Sequence, residues 1–186
     1  MANKDAAFGM RAIGKVGQNR DAQGLSEYDI AASATAIYQN DPVEMLATGT
    51  IGVAAAGDVL LGSLTGVFFT DASTSKPTYA NHLEASNTAT DIVGFVSDDP
   101  YQRFEIQSAG TVAQTNIGNC ADIVYAAGSS PNYVSKVEAS GTMAAGTAQL
   151  KIIGVSRDPD NNELGSANAN LIVNINEHFL KATAGI

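Results

Sequence analysis

LKIIGVSRDPDNNELGSANANLIVNINEH, residues 150–178, is the stretch that decides the fold class. An apolar run, Leu150 to Val155, ends in a turn rich in Asp, Pro and Asn. After a short polar bridge a second run alternates, with Leu171, Val173 and Ile175 on one side and Ile172, Asn174 and Asn176 on the other. Two β-branched runs joined in this way read as paired strands. Period-two alternation puts one side of a strand against a core, and Pro, Asp and Asn preset the reversal between the runs.

The same grammar extends outward. Leu64-Thr65-Gly66-Val67-Phe68-Phe69-Thr70-Asp71, Ile92-Val93-Gly94-Phe95-Val96-Ser97-Asp98 and Ile152-Ile153-Gly154-Val155-Ser156-Arg157-Asp158 share one pattern. Each has an apolar residue, a spacer, Gly, another apolar residue and an Asp that opens a turn. Glycine inside a strand marks a bulge or a close backbone approach. Further strand signals fall at Leu25–Ile30, Thr35–Tyr38, Val43–Leu46, Ile51–Val53 and Tyr101–Ile106, with turns about every 8–12 residues, the spacing of a sandwich or barrel. No long stretch carries 3.6-residue periodicity. The expectation is an all-β protein, a β-barrel or β-sandwich with Gly-bent strands and at most a short helix, one turn at Leu83–Ala85. Residues 75–90, SKPTYANHLEASNTAT, read as a polar surface excursion, and residues 128–149 as a Ser/Gly/Ala-rich hairpin.

Residues 1–24 differ from the rest of the chain. They hold four glycines and scattered apolar residues without period, so the organisation expected is an extended N-terminal arm, 1–24, and a single β domain, 25–186. Phe8, Met10, Ile13 and Val16 are isolated anchors in that arm and become the candidate partner-binding residues.

Chemistry is sparse. The 186 residues carry a net charge of −9 and no Lys/Arg cluster, which argues against nucleic-acid binding. Charged residues are 16 %, below the roughly 25 % of an average soluble domain. Either a partner covers part of the surface, or Ser, Thr, Asn and Gln supply the polarity. The single cysteine, Cys120, allows neither an internal disulfide nor a cysteine-based zinc site, and reads as a small buried hydrophobe. His82 and His178 lie in no nucleophile motif and read as surface residues. The turn Asp158–Glu163 offers oxygen ligands at alternate positions, but Glu163 and Ala169 stand where a calcium loop needs Gly and Glu, so it reads as an Asx-type turn. No catalytic residue, cofactor or metal ligand is assigned, and the chain is not read as an enzyme. The N-terminus has no signal-peptide apolar run and no stretch approaches the roughly 18 apolar residues of a membrane span, so no membrane partner is expected and synthesis in a cytoplasm is.

Several segments resemble the tailed-phage capsid decoration, or cement, proteins. They are the opening Met1-Ala2-Asn3-Lys4-Asp5-Ala6-Ala7-Phe8-Gly9-Met10-Arg11, Tyr28, Tyr38, Asp41-Pro42-Val43, Gly62 to Gly66, Ile153-Gly154-Val155 through Gly165-Ser166-Ala167-Asn168, and Asn174-Ile175-Asn176-Glu177-His178. The resemblance implies a structural virion protein, made in a host bacterial cytoplasm and bound to the outer face of an icosahedral capsid. There it would cross-bridge major capsid proteins as a homo-oligomer, with a trimer favoured, and its arm would pair with a neighbour's sheet edge. Acidity agrees with a place outside the shell, away from packaged DNA. The alternatives are another virion subunit (head fibre base, neck or tail tube) and a soluble β-barrel module that binds carbohydrate or protein.

Overall fold

The computed structural model describes residues 2–16 and 24–181; residues 17–23 of the expected arm, and 182–186, lie outside the described residues. The strands are β1 (Arg11–Lys15), β2 (Ser26–Asp29), β3 (Pro42–Met45), β4 (Ile51–Val53), β5 (Leu60–Thr70), β6 (Pro77–Ala80), β7 (Val93–Ser97), β8 (Gln102–Gln107), β9 (Cys120–Ala121), β10 (Ile123–Val124), β11 (Glu138–Ala139), β12 (Leu150–Val155) and β13 (Asn170–Ile175). Helix among the described residues is confined to short 3₁₀ turns at Gln114–Asn116 and Phe179–Lys181. The protein is all-β, as its sequence leads one to expect.

The two larger sheets run β1-β8-β13-β12-β9 and β2-β7-β5-β3-β4, and β10 and β11 form a two-stranded third. Val67 pairs with Gly94 of β7 and with Ala80 of β6, so β6 flanks β5 on the side away from β7. Pairing within both sheets is antiparallel. Both sheets end in open edges and no closed barrel forms among the described residues, so the architecture agrees with a sandwich.

Each sheet has its own core. Phe104, Ile106, Leu150, Ile152, Leu171, Val173 and Ile175 pack with Met10 and Leu60. Ile30, Ile37, Val43, Ile51, Leu61, Leu64, Val67 and Val96 form the second cluster. Successive residues of a strand point to opposite faces, and β5 uses this: Leu60 enters the first core and Leu61 the second. The second sheet is therefore buried on both faces at that point, which joins the two bodies of apolar side chains. Truncating a fully buried residue such as Phe104 to Ala would cost about 3–5 kcal/mol.

The recurring glycines have distinct work. Gly66 and Gly154 follow register shifts, between Leu64 and Gly66 and between Ile152 and Gly154. Gly94 is a close approach: a Cβ there would lie 3.0 Å from the Cδ1 atoms of Ile30 and Ile51. The segment 75–90 departs from expectation. Pro77–Ala80 forms β6, and Leu83 is fully buried, exchanging backbone hydrogen bonds with Ile37 (3.0 and 2.8 Å). The helical turn at Leu83–Ala85 is absent, because those bonds hold Leu83 in a bridge. Residues 128–149 are no simple hairpin either, since Glu138–Ala139 pairs instead with Ile123–Val124.

Candidate docking surface

The N-terminal segment runs along the chain's own body. Asn3 Nδ2 donates to the carbonyls of Glu163 (2.9 Å) and Ala167 (2.8 Å), and Asn3 Oδ1 accepts from the Glu163 N–H (3.0 Å). Lys4 pairs with Asp160, while its carbonyl accepts from Asn161 Nδ2 (2.7 Å) and Gln107 Nε2 (2.9 Å). The Ala6 N–H donates to Gln107 Oε1 (2.9 Å). Further on, Asn40 Nδ2 donates to the Phe8 carbonyl, the Met10 N–H to the Asn40 carbonyl (2.8 Å), and Ser63 Oγ to the Met10 carbonyl (2.6 Å). Gly9 sits at φ +73°, and a Cβ there would collide with Ser135 and the Asn40 carbonyl. The segment is thus a strap. Side-chain amides read its main chain at one end from the first sheet and the 158–168 loop, and at the other from the second sheet.

The strap scatters the four anchors expected in the arm instead of gathering them. Met10, expected to be held by a partner, is fully buried in the first core. Phe8 is half-buried with the Arg11 guanidinium 4.9 Å from its ring centroid. Only Ile13 and Val16 stand out, 45 % and 48 % exposed. The turn Asp158–Glu163 also finds its use here: Asp160 and Asn161 hold the strap. Among the described residues no group of three or more His, Cys, Asp or Glu could hold a metal ion.

β1 is an edge strand, paired with β8 on one side alone among the described residues. Its register shifts between Ala12 and Gly14, which leaves Ile13 as a bulged, outward residue. Arg11 pairs with Glu105, and Lys15 with Asp99. A bulge and charges guard an edge against flat strand addition, so this edge is poorly shaped for the strand pairing that the resemblance implies. It offers side chains instead. The Val16 N–H donates to the Tyr101 carbonyl (2.9 Å), and Lys181 Nζ lies 5.0 Å from the Tyr101 ring centroid. Val16 and Tyr101 thereby lie side by side, and Leu180 precedes the lysine that reaches the Tyr101 ring; Tyr101 and Leu180 are 62 % and 50 % exposed. Sequence reasoning misses Tyr101 and Leu180, because one opens a strand and the other follows the last one, and only folding brings them beside Val16.

Under this patch the packing is polar and tight. Tyr28 Oη donates to Asp98 Oδ2 (2.6 Å), and burial with that contact pushes the phenol up to about 12. Lys15 holds the Asp99 carboxyl below the usual carboxylate range. His178, expected at the surface, is 2 % exposed. Its Nδ1 accepts from the Leu180 N–H (3.0 Å), and its Nε2 has no hydrogen-bond partner. Burial first and the Lys181 charge second lower its pKa to about 4, against the opposing pull of Asp98 and Asp99. His82 is no free surface residue either: its ring stacks on Tyr133 with centroids 3.8 Å apart. The chain was compared with protein-family models, curated proteins and solved structures, and no match was found in any of the three.

Proposed function

We propose that the chain is a structural protein of a virion, docking on the outer face of an icosahedral phage shell and cross-bridging major capsid subunits there. The observation that carries the reading is the Val16–Tyr101–Leu180 patch, apolar side chains set on strand and turn positions fixed by Lys15–Asp99 and by the buried His178. Rigid, exposed aromatic and aliphatic groups of this kind are what interface anchors need, since little side-chain entropy is lost on contact. The resemblance of the opening and C-terminal segments supplies the virion context, and the acidity of the chain suits a site away from DNA. A small symmetric oligomer, a trimer by the same resemblance, would multiply each weak contact through effective concentration.

Cosedimentation of the purified protein with empty capsids, read by electron microscopy, tests this. Wild-type protein is expected on the outer surface at symmetry-related positions. A Val16→Asp, Tyr101→Ala double variant is expected to keep its melting temperature within about 2 °C, in line with exposed substitutions, and to lose most attachment. Protein that never sediments with shells, or that stacks into tubes alone, would reject the reading.

A further inference from the structure

The outer face of the second sheet carries a second patch of different chemistry. Val67 is buried and Phe69 packs on the second core, so strand alternation turns Phe68 outward. Phe68 stands directly opposite Tyr79 in the β5–β6 ladder, with ring centroids 4.8 Å apart. On β7, Gly94 and Val96 face the core, which leaves Val93 and Phe95 outward, and Phe95 lies 6.3 Å from Tyr79 in a near-parallel stack. Three rings from three adjacent strands thus form one stripe. Tyr79, at 76 % exposure, is the most exposed of the large apolar and aromatic side chains among the described residues.

Carboxylates border the stripe. Tyr28 packs on the second core, so its neighbours Glu27 and Asp29 point outward on β2, opposite Phe95 and Val93. Asp91 accepts from Thr70 Oγ1 (2.6 Å) and the Thr70 N–H (3.0 Å), and Thr70 is two residues from Phe68 on the same face. Those bonds hold the Asp91 carboxyl below the usual carboxylate range, so it stays charged. None of the three is ion-paired among the described residues, whereas Lys4, Arg11 and Lys15 are already matched to Asp160, Glu105 and Asp99. Lys76, in the turn before β6, stands three residues from Tyr79 in sequence.

We propose that this face binds a protein segment bearing arginine or lysine, its cation lying over the Tyr79 and Phe95 rings and pairing with Glu27 or Asp29. Aromatic faces attract cations, and a flanking carboxylate adds charge and hydrogen bonding that a guanidinium meets in a planar fork. A second copy of the chain is a poor occupant, because it would bring a net charge of −9 to an acidic face. A neutral glycan could donate hydroxyl hydrogen bonds to the carboxylates but would leave their charge unneutralised, whereas a guanidinium does both. Identifying the partner as a shell subunit rests on the docking reading above; the preference for a cation does not.

The test has two arms. In the first, a short amidated peptide of alternating arginine and glycine is titrated into the full-length protein at low salt and followed by amide NMR. Shifts are expected to cluster on β2, β6 and β7. Tyr79→Ala and the Glu27→Gln, Asp29→Asn pair should each weaken binding by about threefold or more, and Glu84→Gln, at an exposed acid that faces His82 (3.8 Å), should not. Shifts scattered over the whole surface with equal loss in Glu84→Gln, no shifts at all, or saturable binding of neutral saccharides in the peptide's place would each overturn the proposal. In the second arm, the same variants are sedimented with empty shells. Shells that retain wild type and the variants equally would sink the assignment to this face while leaving the docking reading intact. Shells that retain neither, with the peptide still mapped to the stripe, would sink the docking reading and leave the cation preference standing.

Discussion

Replacing Asp41 with Asn should make the protein more stable at neutral pH, although Asp41 is fully buried and hydrogen-bonded. Its Oδ2 accepts from the Tyr38 N–H at 2.7 Å, but its Oδ1 has no hydrogen-bond partner and no compensating cation. Burial outweighs the help from Ser135 and the Tyr38 N–H and raises the carboxyl from 3.8 to about 6. At 1.36 kcal/mol per pKa unit, keeping this group ionised in the folded state costs up to about 3 kcal/mol above pH 6. The folded state binds the proton more tightly than the unfolded one. The cost is therefore full above the folded value, shrinks as pH falls, and is gone below the unfolded value of 3.8. Asn keeps the oxygen that caps Tyr38 and puts a neutral amide where the orphaned oxygen stood, beside Ser135. Urea unfolding of both proteins at about pH 7.5, 5 and 3.5 reads the difference through the midpoint at constant slope. The variant should gain about 1–3 kcal/mol at the highest pH and nothing at the lowest. A variant less stable at pH 7.5, or a difference that does not change with pH, would refute the reasoning; Asp41→Ala, which also orphans the Tyr38 N–H, should gain less than Asn.

The buried His178 works in the opposite direction. Its folded value of about 4 lies below the unfolded 6.5, so its contribution is present above 6.5 and is lost as pH falls to about 4; in an Asp41→Asn background this loss of up to about 3 kcal/mol should dominate urea melts over that window, above the range where Asp91 and Asp99 titrate, and His178→Gln should flatten it. Gly9→Ala should lower stability by about 2 kcal/mol or more, from the positive φ together with the collision with Ser135, measured by thermal melting. Gln107→Ala removes bonds to Lys4, Ala6 and Asn168, and should cost about 1–3 kcal/mol while opening the first residues to limited proteolysis.

The strands are legible where alternation and turn residues coincide, as in β12 and β13, and where a glycine interrupts a β-branched run, as at Gly66 and Gly154. Residues 75–90 mislead because composition averages over a window: Leu83 is one apolar residue among polar neighbours, and its burial depends on Ile37, far away in sequence. The same limit hides the aromatic stripe. Phe68, Tyr79 and Phe95 carry no common spacing, and they meet because β6 and β7 flank the same strand. Met10 reads as an anchor awaiting a partner because nothing local reports that Asn40 and Ser63 will bracket it.

The strap also orders events during synthesis. Asn3 finds its acceptors 160 and 164 residues later in the chain. Asn3 is therefore seated only after the 158–168 loop has emerged and its sheet has formed. Until then the Asn3 side chain and the Lys4 carbonyl lack their partners at Asn161, Glu163 and Ala167, and local contacts cannot substitute for a closure of such sequence separation. A bulky fusion at the front of the chain should delay this closing step far more than the same fusion on an exposed turn, even where the finished protein is equally stable.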